Sequence, residues 1–121
     1  MKPRHVLYAL ITCVPLMALA GEADVTDVKV RSSGDGTYHF DVTVRHADSG
    51  WDHYADQWQL LTHDGEVLAT RTLHHPHVNE QPFTRSLTGV AIPPGVSQVR
   101  VRARDSLHGH GGREMVVQMP D

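Results

Sequence analysis

The segment Tyr38-His39-Phe40-Asp41-Val42-Thr43-Val44-Arg45 alternates apolar and polar residues along its whole length. A period of two sends Tyr38, Phe40, Val42 and Val44 to one face and the polar set to the other, as in a half-buried strand. The same alternation recurs on both sides. Val28 and Val30 alternate with Asp27, Lys29 and Arg31, and the turn Ser32-Ser33-Gly34-Asp35-Gly36 joins this run to the first. Tyr54, Trp58 and Leu60 carry a third strand, with Asp56 an odd polar residue on the same parity. Asp64-Gly65 signals a hairpin turn into Val67–Leu73. Phe83–Ile92 is a weaker fifth strand, closed by Pro93-Pro94-Gly95. Val99, Val101 and Ala103 alternate with Gln98, Arg100, Arg102 and Arg104, and Met115, Val117 and Met119 end the series. No stretch shows helical spacing. Seven short strands between Gly, Pro and Asp turns predict an all-β, immunoglobulin or fibronectin type III-like β-sandwich with Trp58 in its core.

The chain has 121 residues, with 11 Lys and Arg against 14 Asp and Glu, ten His and one Cys. That length suits one domain. The net charge of −3 argues against a nucleic-acid partner, which would select a basic face. Lys2 and Arg4 precede an apolar run, Val6 to Ala20, that closes on Ala18-Leu19-Ala20 before Gly21. This pattern predicts a signal peptide over residues 1–20 and a single β-sandwich domain over residues 21–121. The run is short for a membrane span, which needs about 20 residues, with a retained N-terminal anchor the lesser alternative. Thr12 precedes Cys13, where lipoprotein processing favours a small residue, so the leader is read as cleaved rather than lipid-anchored. Cleavage removes the single Cys and leaves 9 basic against 14 acidic side chains. A disulfide framework and a Cys nucleophile are thereby excluded. The expectation is a periplasmic or secreted monomer.

Strand alternation sorts the connections into two ends. The loops at 32–36, 63–65 and 93–96 share one end, and those at 46–53, 74–82 and 106–112 share the other. His46, His53, His74, His75, His77, His108 and His110 all fall at the second end. Imidazoles gathered from several loops suit zinc or copper. His75-x-His77 and His108-x-His110 would each place two rings on one side of an extended segment. The candidate metal ligands are therefore His75, His77, His108, His110 and His53, with Glu80 completing the shell. Asp52 and Asp105 are alternatives for that role or for fixing a tautomer. The spacing matches no zinc finger or metalloprotease, and Gly21-Glu22-Ala23 lacks the third-position His of the tripeptide copper chelate. A polar loop surface without metal is the competing reading.

Trp51, between Gly50 and Asp52, and Phe83, after the Pro76–Pro82 segment, are candidate partner-binding residues. Trp51 could equally cap the open end of the core. The stripe Arg100, Arg102 and Arg104 expects carboxylate partners on neighbouring strands, such as Asp41.

The stretches His75-Pro76-His77-Val78-Asn79-Glu80-Gln81-Pro82-Phe83-Thr84-Arg85 and Val101-Arg102-Ala103-Arg104-Asp105-Ser106-Leu107-His108-Gly109-His110-Gly111-Gly112, with Gly50–Trp58 upstream, resemble a family of small exported proteobacterial proteins. The resemblance implies export and a small β domain, and it brings no activity, cofactor or partner.

Three functional readings follow. The first is a non-enzymatic exported β-sandwich whose His-rich end binds copper or zinc. The second is a metal-free interaction module contacting a periplasmic protein through Trp51 and Phe83. The third is a copper/zinc redox enzyme, although the chain lacks the Cys pair and ligand spacing of copper-zinc superoxide dismutase and has no Gly-x-Ser-x-Gly elbow.

Overall fold

The computed structural model describes residues 21–120. The predicted signal peptide over residues 1–20, with Cys13, lies outside the described residues. The described chain is all β, and no helix in it is long and apolar enough to cross a membrane.

Among the described residues eight strands form, one more than expected: β1 (Asp24–Ser32), β2 (Thr37–Arg45), β3 (Ala55–Leu61), β4 (Val67–Thr72), β5 (Phe83–Ala91), β6 (Gln98–Asp105), β7 (Gly109–His110) and β8 (Met115–Gln118). The added strand is the two-residue β7. It pairs with the end of β6, Arg104 opposite His110 and Asp105 opposite Gly109. One sheet runs β1-β2-β5 and the other β4-β3-β6-β7, with β8 also pairing β6, all antiparallel. Two such sheets face to face make the expected sandwich. β4 pairs β3 rather than β5, unlike the constant immunoglobulin arrangement, where the fourth strand joins the other sheet.

Alternation decides what is buried. Phe40, Val42 and Val44 of β2 meet Trp58 and Leu60 of β3 and Val99 and Val101 of β6 in one core, all at zero exposure. Asp56 breaks the pattern for a local reason. The β3–β6 register shifts between Ala55 and Gln57, so Asp56 is an extra residue and Ala55 and Trp58 both face inward. Its carboxylate receives Arg104 Nη1 at 3.3 Å.

The arginine stripe is partnered, but not by Asp41. Arg100 pairs with Glu114 at 2.9 Å, Arg102 donates to Gln59 Oε1 at 3.0 and 2.9 Å, and Arg104 takes Asp56. Asp41 lies in the opposite sheet, on β2, where His39 and Ser86 hold its Oδ1. The two-ended arrangement of loops is as expected. Thr62, His63, Asp64, Glu66 and the Gly95–Gln98 segment line an open hollow of about 490 Å³ at one end. At the other, Asp48 and Gln81 tie the 46–54 and 73–82 connections together.

Candidate metal centre

The inward parity of β2 does not stop at its last residue. After Phe40, Val42 and Val44 the next inward positions are His46 and Asp48, and both are buried. β6 behaves alike: Val99, Val101 and Ala103 are followed inward by Asp105 at zero exposure. Two strands from opposite sheets thus deliver an imidazole and a carboxylate to the same end of the core.

Asp48 organises this end. Its Oδ1 accepts His46 Nδ1–H at 2.5 Å and Ala55 N–H at 3.0 Å, and its Oδ2 accepts His77 N–H at 2.7 Å. Three N–H donors satisfy a carboxylate that would otherwise be costly to bury. Gln81 adds a brace, its Oε1 accepting His46 N–H at 2.9 Å and its Nε2 donating to His77 O at 2.9 Å. Asp105 Oδ1 accepts Leu107 N–H at 2.9 Å and His108 N–H at 2.6 Å, an Asx turn that sets His108 over the carboxylate.

These supports converge on one group. His46 Nε2 stands 3.2 Å from His53 Nε2, which stands 3.3 Å from Asp105 Oδ1. His46, His53 and Asp105 each offer a ligand atom within 4.8 Å of the others. His108 adjoins them, with Nδ1 3.2 Å from Asp105 Oδ1 and its ring centroid 4.8 Å from that of His53. The Gly21 carbonyl oxygen faces three of the rings, 2.9 Å from His46 Nε2, 3.0 Å from His53 Nε2 and 2.8 Å from His108 Nδ1. The side chains of His46 and Asp105 are sealed, while those of His53 and His108 are 21% and 40% exposed, so the group opens to solvent on one side.

Proton arithmetic makes this arrangement unusual. His46 gives its Nδ1–H to Asp48, so in the neutral ring Nε2 carries a lone pair. That lone pair faces Gly21 O, itself only an acceptor, and His53 Nε2. Asp105 Oδ2, on the same sealed carboxylate, has no hydrogen-bond partner among the described residues. A neutral His53 with its proton on Nε2 can donate to His46 Nε2 or Gly21 O, and His108 Nδ1–H can donate to Gly21 O; the donors left for a cation are the His46 lone pair and the partnerless Asp105 Oδ2. The His46–His53 and His53–Asp105 separations of 3.2 and 3.3 Å suit an ion, and the group as a whole, spread within 4.8 Å, would draw in slightly around it. Metal bonds of about 2.0–2.1 Å put neighbouring donors roughly 3.0–3.4 Å apart.

The sequence-predicted ligands divide. His53 and His108 are in or beside the group. His75, His77, His110 and Glu80 are not. His77 is buried and stacked on Phe83, with ring centroids 4.0 Å apart and planes 10° from parallel. Its Nε2 accepts from Arg85 Nη2 at 2.9 Å, so its lone pair is spent inside the protein. Burial, with the Arg85 guanidinium and His75 adding to it, holds the His77 imidazole below its ordinary pKa. His75 packs its ring on that of His77, centroids 4.7 Å apart, and is exposed. Glu80 is bound to Arg85 at 3.1 Å. His110 lies on β7 opposite Arg104, where burial and then the Arg102 and Arg104 charges lower its pKa. Phe83 is a core residue rather than a partner contact, because its ring fills the space under His77. Trp51 is 67% exposed, its ring edge-on to Tyr54 at 5.6 Å, and so does not cap the core.

Sequence reasoning placed His46 at this end without choosing it and kept Asp105 as an alternative. Asp48 and the Gly21 carbonyl were not anticipated. The available signal was parity, since His46, Asp48 and Asp105 all continue the inward register of a strand past its end.

No family model and no solved structure matches the chain. A protein of Halomicrobium mukohataei named "Putative lipoprotein" is 47% identical over 96 residues, covering 79% of this chain and 47% of the relative. The chain therefore spans about half the length of that relative. The match is archaeal, so it does not carry the proteobacterial restriction that the resemblance implied.

Proposed function

We propose that this domain binds one copper or zinc ion through His46 Nε2, His53 Nε2 and Asp105, with His108 at the solvent-facing side. The carrying observation is the lone pair of His46. Asp48 fixes that ring in the tautomer whose Nε2 faces His53 and the Gly21 carbonyl, which is the second-sphere arrangement that orients metal-ligating histidines. A donor set of nitrogen and oxygen without sulfur suits Zn(II) or Cu(II). The domain is read as a binding module rather than an enzyme, exported by the leader that the sequence predicts. The name of the archaeal relative supports an exported or membrane-anchored setting.

Calorimetric titration of the tag-free chain with Cu(II) and with Zn(II) tests this. One ion should bind per chain at micromolar affinity or better. Binding should fall at least about 100-fold in the His46→Ala/His53→Ala double variant and hold in the His75→Ala/His110→Ala double variant. Equal binding by wild type and the first variant, or loss in the second alone, overturns the reading.

A second reading, a protein-interaction module, is supported by exposed Trp51, Leu107 and Val78 on the loops of the same end. It predicts that Trp51→Ala abolishes capture of a periplasmic protein while metal binding stays unchanged.

A further inference from the structure

The Gly21 carbonyl oxygen sits within 3.0 Å of three imidazole nitrogens, and three features put it there. Gly21 adopts φ +101°, a conformation that side-chain-bearing residues rarely take. A Cβ at this position would come 2.6 Å from His108 Cε1. Downstream, Val25 N–H donates to Arg113 O at 2.8 Å and Arg113 N–H to Asp24 Oδ1 at 2.7 Å, anchoring the start of the described chain beside the 111–113 segment. The carbonyl is held among the rings by construction.

We propose that Gly21 is itself a metal ligand, and that removal of the leader completes the site by freeing its α-amino group. Resting on the metal-site reading above, this assigns the main chain of one residue two donor atoms. The carbonyl oxygen and the α-nitrogen of a terminal glycine are separated by two carbons, so together they close a five-membered ring on an ion. The sequence predicts cleavage after Ala20, which makes Gly21 the first residue. Before cleavage the Gly21 nitrogen is an amide, a poor donor for copper or zinc. After cleavage it is an amine, adding a third nitrogen to His46 and His53. The ion would then tie the N-terminus to the 46–53 loop and to Asp105, and full affinity would arise only in the processed chain. The carbonyl faces the His46 Nε2 lone pair at 2.9 Å, and an ion between the two would bind both.

The test compares Cu(II) binding by the exported, processed chain before and after selective acetylation of its α-amino group. Intact mass identifies the first residue, and circular dichroism confirms the fold. The expected result is Gly21 at the terminus and a loss of at least about tenfold in Cu(II) affinity on acetylation, as for any tethered donor removed. The visible Cu(II) band should shift to lower energy as one nitrogen leaves. Gly21→Ala, with a free amine but a displaced carbonyl, should weaken binding as well. Equal affinity and spectra before and after acetylation overturn the inference and leave the metal site standing. Absence of Cu(II) binding in either form overturns both, and a mature terminus other than Gly21 overturns the chelate alone.

Discussion

Asp48 Oδ1 and His46 Nδ1 are 2.5 Å apart with both side chains at zero exposure. The pair joins a loop at the end of one sheet to the first residue of β3 in the other, because the same carboxylate oxygen also accepts Ala55 N–H. Its second oxygen holds the 73–82 connection through His77 N–H. One side chain therefore sets the His46 tautomer and pins three segments.

Asp48→Asn separates these roles by degree. An amide retains one acceptor and turns the other atom into a donor facing an N–H. Stability should fall by about 1–3 kcal/mol, because a buried N–H loses its acceptor. Metal affinity, measured well below the midpoint of thermal unfolding, should fall about 10–100-fold. Unchanged affinity in a folded Asp48→Asn chain would show that His46 keeps its orientation without the carboxylate.

Trp58→Ala tests the core apart from the site. Trp58 is fully buried on the central strand β3, next to Leu60 and opposite Ala103 of β6. Truncation should cost about 3–5 kcal/mol in urea unfolding. Metal affinity of the folded fraction should stay at the wild-type value. A cost below about 1 kcal/mol would mean the sandwich closes over the gap.

The sandwich was legible because alternation is a local signal: Tyr38–Arg45 and Gln98–Arg104 each declare their inward face without help from the rest of the chain. The strand ends were legible in the same terms, yet a His or Asp on inward parity looks like the polar edge of a loop until a facing residue is known. The local pairs His75-x-His77 and His108-x-His110 drew attention because they are adjacent in sequence. The structure instead spends His77 on Arg85 and Phe83 and collects His46, His53 and Asp105 from positions up to 59 residues apart. Convergence of that kind depends on sheet pairing. The Gly21 carbonyl is less legible still, because main-chain atoms leave no residue-type signature.

Gly112→Ala probes the anchoring of the chain start. A Cβ there would collide with the Ala23 carbonyl and approach Asp24 Oδ1 to 2.7 Å. Backbone cannot yield as a side-chain tip can, so overpacking should cost about 1–3 kcal/mol. Because residues 22–24 would move, Gly21 should move with them, and metal affinity should fall in the same variant. A stability loss with intact affinity would show that the site does not depend on this contact.

Acid should destabilise the metal-free protein through His77. Its ordinary pKa of 6.5 is lowered in the fold, chiefly by burial, with the Arg85 and His75 charges adding to the effect. Between the lowered folded value and 6.5, the unfolded chain binds more protons at this site, so stability rises with pH in that window. The contribution of a neutral His77 is thus complete above 6.5 and lost as pH falls below it. His77→Gln keeps an acceptor for Arg85 and removes the titration. Urea unfolding in the presence of a chelator should find the variant less stable than wild type at pH 7.5. That difference should narrow steadily toward pH 5, because only wild type loses stability at this position. A constant difference across the range would mean that His77 keeps its ordinary pKa in the fold.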